Sequence, residues 1–203
     1  MNMAKGLLVV ISGFSGVGKG TVIQMVLDAL PNLRFSVSCT TRAPRPGETD
    51  GVNYYFLSES EFEEKIAKGE FVEYTRTFTN YYGTLRSEID GPVAAGVDIL
   101  MELNVVGAAN IKKLYPYCVT VFVCPPSYEA LKARLVGRGT ESEESLRRRL
   151  NEIEAESRSI PYYDYAVTNV VAKECADKIV GIINSEHLRT SRADDLDIFH
   201  PED

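Results

Sequence analysis

The stretch VVISGFSGVGKGT, residues 9–21, constrains this chain more than any other. An apolar run stops abruptly at Gly13, Gly16, Gly18 and Gly20, with a single cation, Lys19, among them. LLVVIS (7–12) is apolar at nearly every position, the pattern of a strand buried on both faces of a parallel sheet. Behind the glycines, TVIQMVLDALP carries Val22, Ile23, Val26, Leu27 and Leu30 at helical spacing, and Pro31 closes the helix. Strand, glycine loop and helix are the context in which GFSGVGK fits the first seven positions of the phosphate-loop pattern G-x-x-x-x-G-K-[ST]. In such a loop, backbone N–H groups wrap a phosphate, the helix N-terminus adds partial positive charge, and the lysine adds a full one. The plainer alternative is a glycine turn beside a surface lysine. The position after Lys19 is Gly20 rather than Ser or Thr, and Thr21 comes next. The usual hydroxyl ligand for Mg²⁺ is therefore displaced: either Thr21 substitutes, or phosphates and water hold the ion, which Mg²⁺ tolerates well.

The rest of the chain alternates strands and helices. GVDILMEL (96–103) and CVTVFVCPP (118–126) read as further buried strands, and YAVTNV (165–170) as a last short one. Helices are expected from Ser127 to Leu135, from a Thr140–Glu143 capping box onward, and over residues 173–187. This rhythm predicts an α/β fold with a parallel sheet flanked by helices. Residues 38–90 break it. There, FSVSC (35–39) and NYYFLS read as strands around the polar loop TTRAPRPGETDG, a Ser58–Glu61 capping box opens a short helix ending near Gly69, and FVEYTRTF and YYGT form a strand pair turning near Thr79 and Asn80. The segment is expected to be a mixed-β insertion into the core.

Composition excludes several classes. At 203 residues the chain suggests one domain with inserted flaps. No apolar run approaches the roughly 18 residues that span a bilayer, and Met1–Gly6 shows no signal-peptide pattern. Cys39, Cys118, Cys124 and Cys175 form no CxxC pair, so free thiols in a reducing cytoplasm are expected, without a zinc site. A net charge of −7 argues against general nucleic-acid binding. Basic residues are nonetheless concentrated in 34–45, which holds Arg34, Arg42 and Arg45 and no acid, and in 132–149. Local basic patches on an acidic chain suit small anionic ligands. Arg42 and Arg45, three apart beside Ser38, Thr40 and Thr41, suit a second phosphate; a pair of solvated arginines beside a turn is the alternative.

Taken together, SGFSGVGKGT, SVSCTTRAPRPGE, GVNYYF, FVEY, YYGT, PPSYEALKARLVGRGTESEESLRRRL and YDYAVTN closely resemble the guanylate kinase family, in order and spacing, over residues 7 to about 185. The resemblance implies transfer of the γ-phosphoryl group of ATP to GMP, with Mg²⁺ as cofactor and ATP and GMP as partners. It implies a P-loop core (4–37, 91–130 and 163–188), a GMP-binding region (38–90), a lid (131–162) and an acidic tail (189–203). ATP is expected at Gly13, Ser15, Gly16, Val17, Gly18, Lys19, Gly20, Thr21, Arg134 and Asn169; the GMP phosphate at Ser38, Arg42, Arg45, Tyr54 and Tyr82; and guanine at Glu73 and Thr84, with Glu102 nearby. Lys19, Arg138, Arg149, Arg42 and Arg45 are the expected catalytic cations. The Glu73 role is chemically sensible, because a carboxylate accepts from both guanine N1–H and the 2-amino group, whereas adenine presents a lone pair at N1. Apart from the resemblance, Glu73 reads as a solvated strand residue.

Arg149 lies beside the Leu146–Leu150–Ile153 stripe of its expected helix, with Glu156 or Glu152 as an orienting partner, while Arg147 and Arg148 pair with Glu143 and Glu144 at i,i+4. The chain departs from the family pattern at Phe14, where Pro is usual, at Asn104 and Val106 in MELNVVG, where the family reads [D/E]IDxQG, and at Val170, where an Asp is usual. Two rival readings are a P-loop kinase for another small phosphate acceptor and a guanylate-kinase-like protein-binding module without catalysis. The first would not need TTRAPR and YYGT together, and the second usually shows a decayed phosphate loop in a longer scaffold chain.

Overall fold

The computed structural model describes residues 6–77, 79–136 and 153–192. Five parallel strands form the main sheet: β1 (Leu8–Gly13), β2 (Leu33–Phe35), β7 (Asp98–Glu102), β8 (Val119–Cys124) and β9 (Tyr165–Thr168), in the order β2-β7-β1-β8-β9. Its helices are α1 (Lys19–Ala29), α3 (Asp90–Ala94), α4 (Val105–Leu114), α5 (Tyr128–Val136) and α6 (Ala172–His187). The two-residue period of a strand divides the core. Val9 and Ile11 face a cluster with Val22, Ile23 and Val26 of α1 and Ile179 and Ile183 of α6. Leu8 and Val10 face the other way, against Val93 of α3 and Ala108 and Ile111 of α4. This two-sided burial is why β1 lacks polar alternation.

The expected insertion is a second, four-stranded sheet of β3 (Cys39–Thr40), β4 (Tyr55–Phe56), β5 (Phe71–Thr77) and β6 (Asn80–Leu85), ordered β4-β3-β6-β5. β3 pairs parallel with β4 and antiparallel with β6, which pairs antiparallel with β5. It has its own small core, with Phe62 of α2 (Glu59–Ala67) stacked between Phe71 at 4.3 Å and Tyr81 at 5.0 Å. The Ser58–Glu61 capping box opens α2 as expected.

Several expectations need correction. FSVSC is not one strand: its first residue ends β2 in the main sheet, Cys39 opens β3 in the second, and 36–38 cross between them. NYYFLS contributes only Tyr55 and Phe56. The helices over 90–94 and 105–114 lacked a sequence assignment. α4 is capped by Asn104, whose Oδ1 accepts from Gly107 N at 2.8 Å. The Thr140–Glu143 box, Arg138 and Arg149 lie outside the described residues. All four cysteines are free thiols; burial pushes Cys39 up to about 12 and Cys118 to about 11. Among the described residues no helix is long and apolar enough to cross a membrane.

Asp164 joins three elements at the sheet's edge. Its Oδ2 accepts from Lys112 Nζ (2.7 Å) on α4 and from Thr120 N and Oγ1 (both 2.8 Å) on β8. Burial alone would raise its pKa, but these donors hold it below the ordinary aspartate value. The network therefore stabilises the fold above the unfolded pKa of about 3.9, and that contribution is lost as pH falls through the lower folded value. Asp164→Ala is expected to cost about 2 kcal/mol at pH 7 by urea denaturation, with the gap to wild type shrinking below about pH 4.

Candidate functional site

The loop from Gly13 to Gly18 is shaped by close approach. A Cβ on Gly13 would stand 2.5 Å from the carbonyl oxygen of Val123, so β1 and β8 meet there only around a glycine. Gly18, the N-cap of α1, is left-handed at φ 95°, and a Cβ would lie 2.9 Å from Asn169 Nδ2. The loop is held from behind. Val17 is fully buried, and buried Phe14 packs edge-on to Phe122 at 5.0 Å, so the residue standing where Pro is usual anchors the loop. The Val17 carbonyl accepts from Asn169 Nδ2 at 2.8 Å and Arg134 Nη1 at 3.1 Å, while Arg134 Nη2 donates to the Asn169 carbonyl at 3.2 Å. Lys19 Nζ donates to the carbonyls of Gly13 (2.7 Å) and Phe14 (3.2 Å) and lies 3.9 Å from Glu102 Oε1.

In front of the loop lies a cleft of about 790 Å³. Gly13, Ser15, Lys19, Gly20 and Glu102 line it on the main-sheet side, and Ser38, Arg42, Arg45, Tyr54, Glu73 and Tyr82 on the second-sheet side. Residues far apart in sequence, expected at one donor and one acceptor site, thus face a common space. Gly16, Val17, Gly18, Thr21, Thr84, Arg134 and Asn169 do not line this cleft; Arg134 and Asn169 support the loop through its backbone.

The arginine loop is not acid-free in space. Arg42 Nη2 reaches both carboxylate oxygens of Glu48 at 2.9 Å, and Glu48 Oε2 also accepts from Arg45 N at 2.8 Å. The sequence reading missed Glu48; its signal is an acid six residues after Arg42 in a loop short enough to fold back. Arg42 is therefore oriented, with its guanidinium carbon 5.6 Å from the Tyr54 ring centroid, and Tyr54 in turn meets Tyr82 at 6.1 Å. Asn53, Thr75, Thr77, Asn80 and Gln24 also line the cleft, and no sequence motif marks them.

Glu73 is not solvated; it is only 7% exposed. β5 and β6 pair Glu73 with Thr84, whose hydroxyl donates to Glu73 Oε1 at 3.0 Å. Burial raises its pKa, and the Thr84 bond offsets part of that rise. A desolvated carboxylate open to a cleft is suited to accept from paired N–H donors. Glu102 lines the cleft within ion-pair distance of Lys19. Asn104 lines the cleft while its oxygen caps α4, whereas Val106 and Val170 are exposed and outside it.

A family model for guanylate kinase matches residues 5–186. A guanylate kinase of Symbiobacterium thermophilum is 47% identical over 94% of this chain and 90% of its own length. One from Clostridioides difficile is also 47% identical, over 95% of this chain and 94% of its own. The crystal structure of guanylate kinase from Anaplasma phagocytophilum superposes with a TM-score of 0.83 at 32% identity, covering both chains completely. Sequence, family model and architecture agree, and the chain belongs to the guanylate kinase family, whose reaction is the phosphorylation of GMP by ATP.

Proposed function

We propose that the cleft runs this reaction with ATP phosphates on the glycine loop and GMP against the second sheet. The observation that carries the reading is that one cleft presents both Lys19, at the mouth of the loop, and buried Glu73, on the facing sheet. Glu73 accepts N1–H and the 2-amino group of guanine, and Thr84 fixes its rotamer. Ser38, Arg42, Arg45, Tyr54 and Tyr82 hold the GMP phosphate, with Glu48 orienting the Arg42 guanidinium through Nη2.

A GMP phosphate oxygen, largely ionised near neutral pH because its second pKa is about 6, attacks the γ-phosphorus. The bond from that phosphorus to the bridging oxygen breaks, leaving ADP and GDP. No general base is required, so the protein's work is in-line placement and charge cancellation. Lys19 follows the charge on the ATP side and the arginine loop holds the acceptor. Arg138 and Arg149, outside the described residues, are proposed to add cations over the transferring group. Mg²⁺ would find few direct protein ligands: Thr21 does not line the cleft, and Glu102, beside Lys19, would hold the ion through its water. When bound, Mg²⁺ neutralises charge on the β- and γ-phosphates.

Four outcomes check this reading. With ATP and Mg²⁺, ADP release should be strong with GMP and weak with AMP, CMP and UMP; equal turnover with AMP would sink the guanine assignment. Glu73→Gln should lower kcat/KM for GMP roughly 10–100-fold. The same change should raise Tm by about 2 °C or more at pH 7–8. The sign follows from the raised pKa: the ionised form is the costly one, so the gain should vanish below about pH 4, where the carboxyl is protonated folded or unfolded. Arg149→Met leaving kcat within about threefold of wild type would remove Arg149 from the transfer step.

A further inference from the structure

We infer that Gly107 is a positioning residue for acceptor recognition: the missing side chain leaves the space in which the Glu73 carboxylate sits. The inference rests on the reading of Glu73 as the guanine-binding acid. Gly107 is the third residue of α4, buried, with its N–H donated to Asn104 Oδ1 at 2.8 Å. It does not belong to the glycines with positive φ, so its backbone conformation is open to any residue. Glycine is also the poorest helix former after proline. A helix keeping glycine in its first turn, where alanine would be better, needs a reason in space.

The reason is Glu73. A Cβ on Gly107 would stand 3.2 Å from Glu73 Oε2, nearer than Leu103 Cβ at 3.4 Å or Asn104 Oδ1 at 3.5 Å. α4 and β5 pack directly together, so the glycine lies where the two sheets' structures meet. Glu73 is tethered on its other side. Its side chain is buried, and Oε1 is held by the Thr84 hydroxyl on the paired strand. Thr84 thus holds one carboxylate oxygen and the bare Cα of Gly107 backs the other. A methyl group there pushes the carboxylate by a few tenths of an ångström. Two parallel hydrogen bonds to a base edge are sensitive to that displacement in both length and angle, whereas the phosphate loop is not touched.

The test compares wild type, Gly107→Ala, Glu73→Ala and the double variant, measuring ADP formation with GMP or ATP varied, GMP binding by calorimetry, and Tm. Gly107→Ala is expected to raise the KM and Kd for GMP roughly tenfold, with kcat and the KM for ATP within about twofold of wild type. In the Glu73→Ala background, where no carboxylate remains to be pushed, adding Gly107→Ala should change GMP binding by less than about twofold. A merely structural role predicts the opposite pattern: a lowered Tm that persists in the double variant, or a loss of GMP affinity as large without Glu73 as with it. Either result overturns the inference, as does unchanged GMP affinity in Gly107→Ala. If Gly107→Ala folds poorly, recovery of Tm in the double variant supports the contact. A wild-type chain that does not phosphorylate GMP overturns the reading of the cleft and this inference with it; a GMP-active wild type beside an unaffected Gly107→Ala overturns the inference alone.

Discussion

The site depends on how the phosphate loop is held. A loop that offers its N–H groups to a ligand must be fixed by its other groups, and here those are its carbonyls and two apolar side chains. The Val17 carbonyl is clamped by Asn169 and Arg134, while Phe14 and Val17 are buried in the larger core. The clamp draws on α5 and the end of β9, so the distant C-terminal strand reaches back to the loop that opens the chain. Arg134 and Asn169 thereby shape the backbone of the loop without facing the cleft.

The acceptor side follows a different logic. Glu73 is costly to bury ionised, and one neutral hydroxyl offsets only part of that cost. Such a group contributes little to folding; in the role proposed for it, it serves discrimination, because a base lacking paired donors would leave it unsatisfied. Around it the structure is arranged to keep the carboxylate in one place: Thr84 on the paired strand, and Gly107 behind. Arg42 is oriented in the same spirit by Glu48 and the Tyr54 ring, which keep a flexible cation in a single orientation.

The legible parts of the sequence are those in which the cause is local. The glycine loop, the Ser58–Glu61 cap and the β5–β6 pair are each specified by residues within a few positions of one another. The unread parts had causes elsewhere. α4 went unassigned because its first turn, VVGAA, carries β-branched residues and a glycine, and what secures it is an asparagine cap and packing on β5. FSVSC read as one strand because its residues share a strand's composition, yet two separate sheets claim its ends. Glu48 was invisible because an ion pair across a folded-back loop leaves no periodic trace.

By itself the sequence determined the P-loop context, the parallel α/β rhythm, its interruption over residues 38–90, and, through the matched motifs, the family and its reaction. These depend on residue order and short spacings, which the chain carries whether folded or not. Only the tertiary structure decided that Glu73 is buried rather than solvated, that Arg134 and Asn169 stand behind the loop, and that Gly107 makes room for a carboxylate from the other sheet. Burial and contact across two sheets are properties of the packed chain, and no local pattern of residues encodes which distant backbone will fill the space beside a glycine.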